Sequence, residues 1–132
     1  ATYNLNPVKI AEDVVVPRSQ IPALIRIIEG LEKKYGIPIL SFGHAGDGNF
    51  HVSIMIKDTP EDRHKAEEAV KDIFVETVRL GGTLSGEHGI GIAKSAYLDL
   101  ELSADVITAM KSIKTLFDPN NILNPGKIFK DG

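Results

Sequence analysis

The eight residues N-F-H-V-S-I-M-I, Asn49 to Ile56, decide how this chain is put together. Phe50, Val52, Ile54 and Ile56 alternate with His51, Ser53 and Met55, and a period of two puts the two sets on opposite faces of a β-strand. His51 therefore points away from the more apolar face. Immediately upstream, S-F-G-H-A-G-D-G (Ser41 to Gly48) links an apolar run, Ile37 to Phe42, to this strand through a glycine-rich loop. The run reads as a second strand, and a tight turn through Gly46-Asp47-Gly48 folds the loop back on itself. Asp47 is expected to shape that turn rather than to bind a ligand.

Outward from this centre the punctuation is regular. Glu12 to Val16 is β-branched and closes at Pro17, which predicts a strand of about five residues. Ser19 is placed to cap a helix whose apolar positions, Leu24, Ile28 and Leu31 among them, recur at helical spacing until Gly36 stops it. Downstream, Thr59 with Asp62 resembles a capping box, and Pro60 suits the first helical position. Ala66, Ala69, Val70, Ile73 and Phe74 mark the buried face of this second helix, which ends at Gly81-Gly82. A short strand, Thr83 to Ser85, is expected next, leading into Glu87-His88. Strand, helix, strand, strand, helix, strand is the order of an α+β ferredoxin-like split β-α-β sandwich. An added C-terminal helix from Ser103 carries Val106, Ile107, Met110, Ile113 and Phe117 on one face and ends at Asp118-Pro119. Residues 1–11 read as a linker or the end of an upstream element, and residues 12–132 as one domain. Ala1 in place of a methionine adds the expectation that the chain is part of something longer.

Composition narrows the function. A chain of 132 residues suits a single domain with a real core. A formal net charge of −3 offers no basic field for nucleic acid or anionic lipid, so a small molecule or another protein is the expected partner. With no cysteine, metal ligands must come from His, Asp or Glu. No apolar run approaches the roughly 20 residues a membrane helix needs.

The candidate chemistry lies in two glycine-rich stretches, Ser41 to His51 and Gly81 to Gly91. His44 and His51 are seven residues apart, and a folded-back loop brings both imidazoles to one point. The split β-α-β order returns Glu87 to that same end. Two imidazoles and a carboxylate are a usual ligand set for a catalytic divalent ion with one position left for substrate. The same histidines could instead cap turns, because their spacing matches no compact metal signature, and Glu87 could be solvated. His88 beside Glu87 is suited to accept a proton from an alcohol near neutral pH. The run G-I-G-I-A-K-S, Gly89 to Ser95, fails as a phosphate loop, since Ala93 stands where glycine should precede the lysine. Lys94 could contact an anionic substrate, although an exposed lysine is the ordinary expectation, and His64 is expected to be solvated.

Taken together, G-H-A-G-D-G-N-F-H, S-G-E-H-G-I-G and the closing F-D-P-N-N-I-L-N-P-G-K resemble the C-terminal domain of FAD-linked oxidases. That group includes glycolate oxidase flavoprotein subunits, D-lactate dehydrogenases and D-2-hydroxyglutarate dehydrogenases. The resemblance spans Asp13 to Lys127. It implies a cap domain that supplies the substrate side of an FAD-dependent enzyme oxidising a D-2-hydroxy acid of glycolate or D-lactate type, and that is inactive without its own N-terminal FAD domain. By resemblance His44, His51 and Glu87 match the ligands of a divalent metal (Zn, Mn or Fe), His88 the catalytic base, and Asn124 a position near the flavin. Ser53 stands where some metal-dependent relatives have a substrate-contacting asparagine, so their substrate preference does not transfer. An iron-sulfur or other electron-transfer subunit is an implied partner. With the absence of cysteine, this sets the expectation of a cytoplasmic enzyme, peripheral to the inner membrane through such subunits. The face that meets the flavin domain would be free to form homo-oligomers in the isolated chain. The alternative function is a non-catalytic α+β module that binds a metal or anion for regulation.

Overall fold

The computed structural model describes residues 7–44 and 46–129, with His44 described by its backbone alone. Contacts divide the chain into two compact units, one ending at Glu87 and the other beginning at His88.

The first unit is built on a three-stranded antiparallel sheet in the order β1-β3-β2, with β1 at Val8–Val15, β2 at Ile39–His44 and β3 at Asn49–Ile56. β3 pairs with β1 from Val8↔Ile56 to Val15↔Asn49 and with β2 from Ile39↔Ile54 to His44↔Asn49. β1 and β2 therefore run parallel with β3 inserted between them, which is the split β-α-β arrangement. β1 starts at Val8, earlier than the β-branched run announces, because Val8 to Ala11 gain a partner in the far half of β3.

Helix α1 (Ile21–Tyr35) joins β1 to β2, and helix α2 (Pro60–Arg79) follows β3. Ser19 does not cap α1; it lies in a 3₁₀ turn, Arg18–Gln20, that feeds directly into the helix, and no side chain caps that start. Gly36 ends α1 in the left-handed conformation, with φ 64°. Thr59 does cap α2, its Oγ1 accepting from the Asp62 N–H at 3.2 Å.

Both helices pack on one face of the sheet. Val14, Phe50, Val52, Ile54 and Ile56 from the strands meet Leu24, Ile28, Ala66, Ile73 and Phe74 from the helices, all buried. Each large apolar side chain so enclosed contributes about 1.5–3 kcal/mol. The strand expected over Thr83 to Ser85 contracts to a single bridge, Val15↔Thr83, on the outer edge of β1. It occupies the place of the fourth ferredoxin-like strand, but the backbone leaves the ladder after one residue pair.

α1 and α2 are also joined at their surface. Asp72 accepts from the Tyr35 hydroxyl at 2.7 Å and from the Lys34 amine at 2.9 Å. The Tyr35 hydroxyl, with help from Lys34, holds the Asp72 carboxyl below its ordinary value of 3.8, against the opposing effect of burial. A depressed folded-state pKa stabilises above the unfolded value, and that stabilisation is lost as pH falls through the folded value.

The second unit contains a 3₁₀ turn at Ser95–Tyr97, a short helix α3 (Leu98–Glu101) and the longer α4 (Ala104–Phe117). Ser103 caps α4, accepting from the Val106 N–H at 3.3 Å. The apolar stripe of α4 is present, but none of its residues is buried, and Phe117 is 78 % exposed. Among the described residues no helix is long and apolar enough to cross a membrane.

Replacing Asp72 with Asn is expected to destabilise the domain by about 1 kcal/mol at neutral pH, a hydrogen-bond loss discounted for partial exposure. The difference between the two proteins should vanish as pH falls below 3.8. Denaturant unfolding at a series of pH values measures both.

Candidate functional site

The face of β3 away from the helices carries Asn49, His51, Ser53 and Met55, as the alternation requires. Opposite His51 stand Asp13 on β1 and Phe42 on β2. The Phe42 and His51 rings lie 5.4 Å apart between centroids, tilted by 33°. Leu40 and Phe42 on this face are each 59 % exposed, whereas Asp13, Asn49 and Ser53 are buried.

The turn into β3 is set by backbone crowding. Gly48 has φ 74°, and a Cβ there would fall 2.1 Å from the Val16 carbonyl oxygen, so only glycine passes. Asp47 shapes the turn as expected, its carboxylate accepting from the Asn49 N–H at 3.0 Å.

Glu87 reaches this face by two attachments. Its carboxylate accepts from Asn49 Nδ2 at 2.8 Å, and its backbone N–H donates to Asp13 Oδ2 at 2.6 Å. The Gly86 N–H donates to the same Asp13 oxygen at 2.9 Å. Glu87 is thus tied both to the residue two before His51 on the same strand face and to the residue directly across from it. Because the Glu87 oxygen can only accept, the Asn49 amide has one allowed orientation. Asn49 Oδ1 is then buried without a hydrogen-bond partner in the described structure. Gly86 lies over that amide, and a Cβ on it would fall 2.8 Å from Oδ1.

The structure thus brings His51 and Glu87 to one region of the sheet. His44 ends β2 with its backbone paired to Asn49, but its side chain lies outside the described residues. Among the described residues no group of three His, Cys, Asp or Glu side chains could hold a metal ion. The two site residues missing from the sequence reading are Asp13 and Asn49. Asp13 had a signal, an acid inside a β-branched run; Asn49 had none beyond its place in the strand.

The second unit holds the remaining expected residues. His88 is exposed at its start. Asn124 is exposed with φ 46°, a left-handed conformation that asparagine tolerates, in a tail where Asn121, Gly126 and Ile128 also have positive φ. The tail is held by Asp118, whose carboxylate accepts from the N–H groups of Ile122 at 3.0 Å and Leu123 at 2.9 Å and from the Lys114 amine. Lys114, followed by those backbone donors, keeps the Asp118 carboxyl below its usual range. Asn124 lines a pocket of about 330 Å³ walled largely by apolar side chains, Phe117, Leu123 and Phe129 among them. Lys94 overturns the expectation of an exposed lysine, being 3 % exposed. His64 is exposed, as expected.

The first unit is an α+β split β-α-β arrangement with one packed sheet face and a second face bearing a histidine, a tethered glutamate and buried polar supports. The profile of the family described as FAD linked oxidases, C-terminal domain, matches residues 1–128, and the chain belongs to that family. It is 47 % identical over 133 aligned residues to "Glycolate oxidase subunit GlcD" of Bacillus subtilis, covering 98 % of this chain and 28 % of that protein. It is 42 % identical to "D-lactate dehydrogenase" of Anaerostipes hadrus, covering 88 % of this chain and 25 % of that protein. A "D-lactate dehydrogenase [cytochrome], mitochondrial" of Kluyveromyces lactis is 40 % identical, with 89 % of this chain and 20 % of that protein covered. The chain spans between a fifth and a third of the length of these relatives. The resemblance read from the two glycine-rich stretches is therefore correct.

Replacing Gly86 with Ala should force the Asn49 amide away from Glu87 and destabilise the domain by about 1–3 kcal/mol. Urea unfolding measures the loss, and the Asn49 side-chain amide resonances should shift with it.

Proposed function

We propose that this chain is the substrate-side domain of an enzyme that oxidises a D-2-hydroxy acid of glycolate or D-lactate type to the 2-oxo acid. The observation that carries the reading is the double attachment of Glu87, through Asn49 and Asp13, at the strand position of His51. A carboxylate held at both its backbone and its side chain, on residues adjoining the strand position of His51, is the kind of oriented group that a substrate or ion site needs.

The residues present suit a divalent ion. His51 offers an imidazole, and Glu87 offers a carboxylate already oriented by an amide donor, as metal-binding carboxylates commonly are. His44, at the end of β2, would complete the set. An ion held there would supply Lewis acidity toward the carboxylate and hydroxyl of the acid.

For the flavin, this chain offers only an edge. Asn124 and the mainly apolar pocket beside it could meet part of a ring system, and the exposed Leu40 and Phe42 are surface for the flavin-binding part of the parent enzyme. A flavin bound there would supply an acceptor for the α-hydrogen and its electron pair. His88 takes the hydroxyl proton, so that one proton and one hydride leave and the carbinol carbon becomes a carbonyl. Two relatives are named as a subunit of glycolate oxidase, and the parent of this chain is proposed to work beside an electron-transfer subunit, in the cytoplasm or at the inner membrane.

Elemental analysis of the purified domain should find Zn, Mn or Fe near one equivalent, and the His44→Ala/His51→Ala double variant should lose it. In the complete parent enzyme, His88→Ala should lower kcat by about a hundredfold or more, the ordinary contribution of general-base catalysis. Full turnover by that variant would remove His88 from the reaction.

A further inference from the structure

Asp13 is fully buried, yet it sits on the sheet face that bears His51 and lies directly across the strand pairing from it. A carboxylate in that position needs partners, and two successive backbone donors, Gly86 and Glu87, converge on its Oδ2 at 2.9 and 2.6 Å.

The register explains why the turn forms where it does. Thr83 bridges Val15 through both backbone hydrogen bonds, at 2.8 and 3.0 Å. A continuing ladder would carry the chain outward along the edge of β1, opposite Asp13. Beyond that bridge the Asp13 side chain takes the Gly86 and Glu87 N–H groups, and the Glu87 carboxylate meets Asn49 on the sheet face. The buried acid thus holds two backbone N–H groups outside any ladder, one of them that of Glu87 itself.

We propose that Asp13 is a positioning residue whose carboxylate, by clamping the Gly86 and Glu87 N–H groups, fixes the Glu87 side chain at the His51 site. Asn49 then holds the carboxylate end of Glu87 while Asp13 holds its backbone end. The inference rests on the assignment of His51 and Glu87 to the site, and it adds the group that sets the distance between them. Asp13→Asn removes the negative charge but keeps the shape, so the clamp weakens with the core of the domain in place.

Nuclear magnetic resonance on this chain tests the clamp directly. In the native protein, through-hydrogen-bond couplings should link the Gly86 and Glu87 amide nitrogens to the Asp13 carboxyl carbon. In Asp13→Asn, hydrogen exchange at those two amides should quicken while Val52 and Ile54 stay protected. Titration with Mn²⁺ alone should show affinity reduced by about ten- to a hundredfold, the usual effect of losing a residue that orients a ligand. Val52→Ala, a core change that lowers stability without touching the clamp, should leave Mn²⁺ affinity unchanged. Absence of the couplings in the native protein, or unchanged exchange and affinity in a folded Asp13→Asn, would overturn the proposal. A native chain that binds no Mn²⁺ would count against the metal reading alone, since the couplings and the exchange rates still judge Asp13.

Discussion

Everything in the first unit depends on β3 lying between two partners. A central strand must satisfy its backbone on both edges, and here β1 takes one edge over eight residues while β2 takes the other over six. Once both edges are paired, the period of two leaves no freedom. Phe50, Val52, Ile54 and Ile56 must face the helices, and Asn49, His51, Ser53 and Met55 must face the other way. The core and the candidate site are two sides of one constraint, and a register slip by one residue would exchange them.

The supports of Glu87 follow from the same pairing. Asp13 stands beside His51 because it is the partner of His51 in the β1–β3 ladder, and Asn49 shares their face because it is two residues earlier on β3. Neither is held there by the site itself. The sheet supplies a rigid base of polar groups, and the Ser85 to Glu87 segment is drawn onto it. A loop residue with both its main chain and its side chain hydrogen-bonded is fixed to a degree that loop residues seldom reach. The orphan acceptor on Asn49 is the cost of this arrangement, about 1–3 kcal/mol for a buried group without a partner.

The second unit obeys a different logic. Its long helix buries none of its own apolar stripe, and Ile122, Leu123 and Phe117 are among the most exposed large side chains of the chain. Order in its tail comes from a polar anchor, Asp118, together with the buried Phe129. The chain covers about a quarter of its relatives' length, and this unit carries large exposed apolar side chains.

The sequence by itself determined β3 to the residue, both long helices, the Thr59 cap and the split β-α-β order, because each rests on periodicity or on a side chain acting within three residues of its own backbone. It also determined the family, through glycine, histidine and glutamate runs that no packing requirement would produce. Tertiary structure alone decided the rest. β1 extends back to Val8 because β3 offers it a partner there, and Ser19 fails as a cap because the chain enters α1 through a 3₁₀ turn. The expected strand at Thr83 to Ser85 shrinks to one bridge, and the Gly86 and Glu87 N–H groups just beyond it go to the side chain of Asp13, more than 70 residues away in the chain. Lys94 is buried by surroundings that no local pattern announces. A side chain that gathers distant backbone donors, or a strand that lengthens to meet its neighbour, depends on which residues come together in space, and local sequence does not record that.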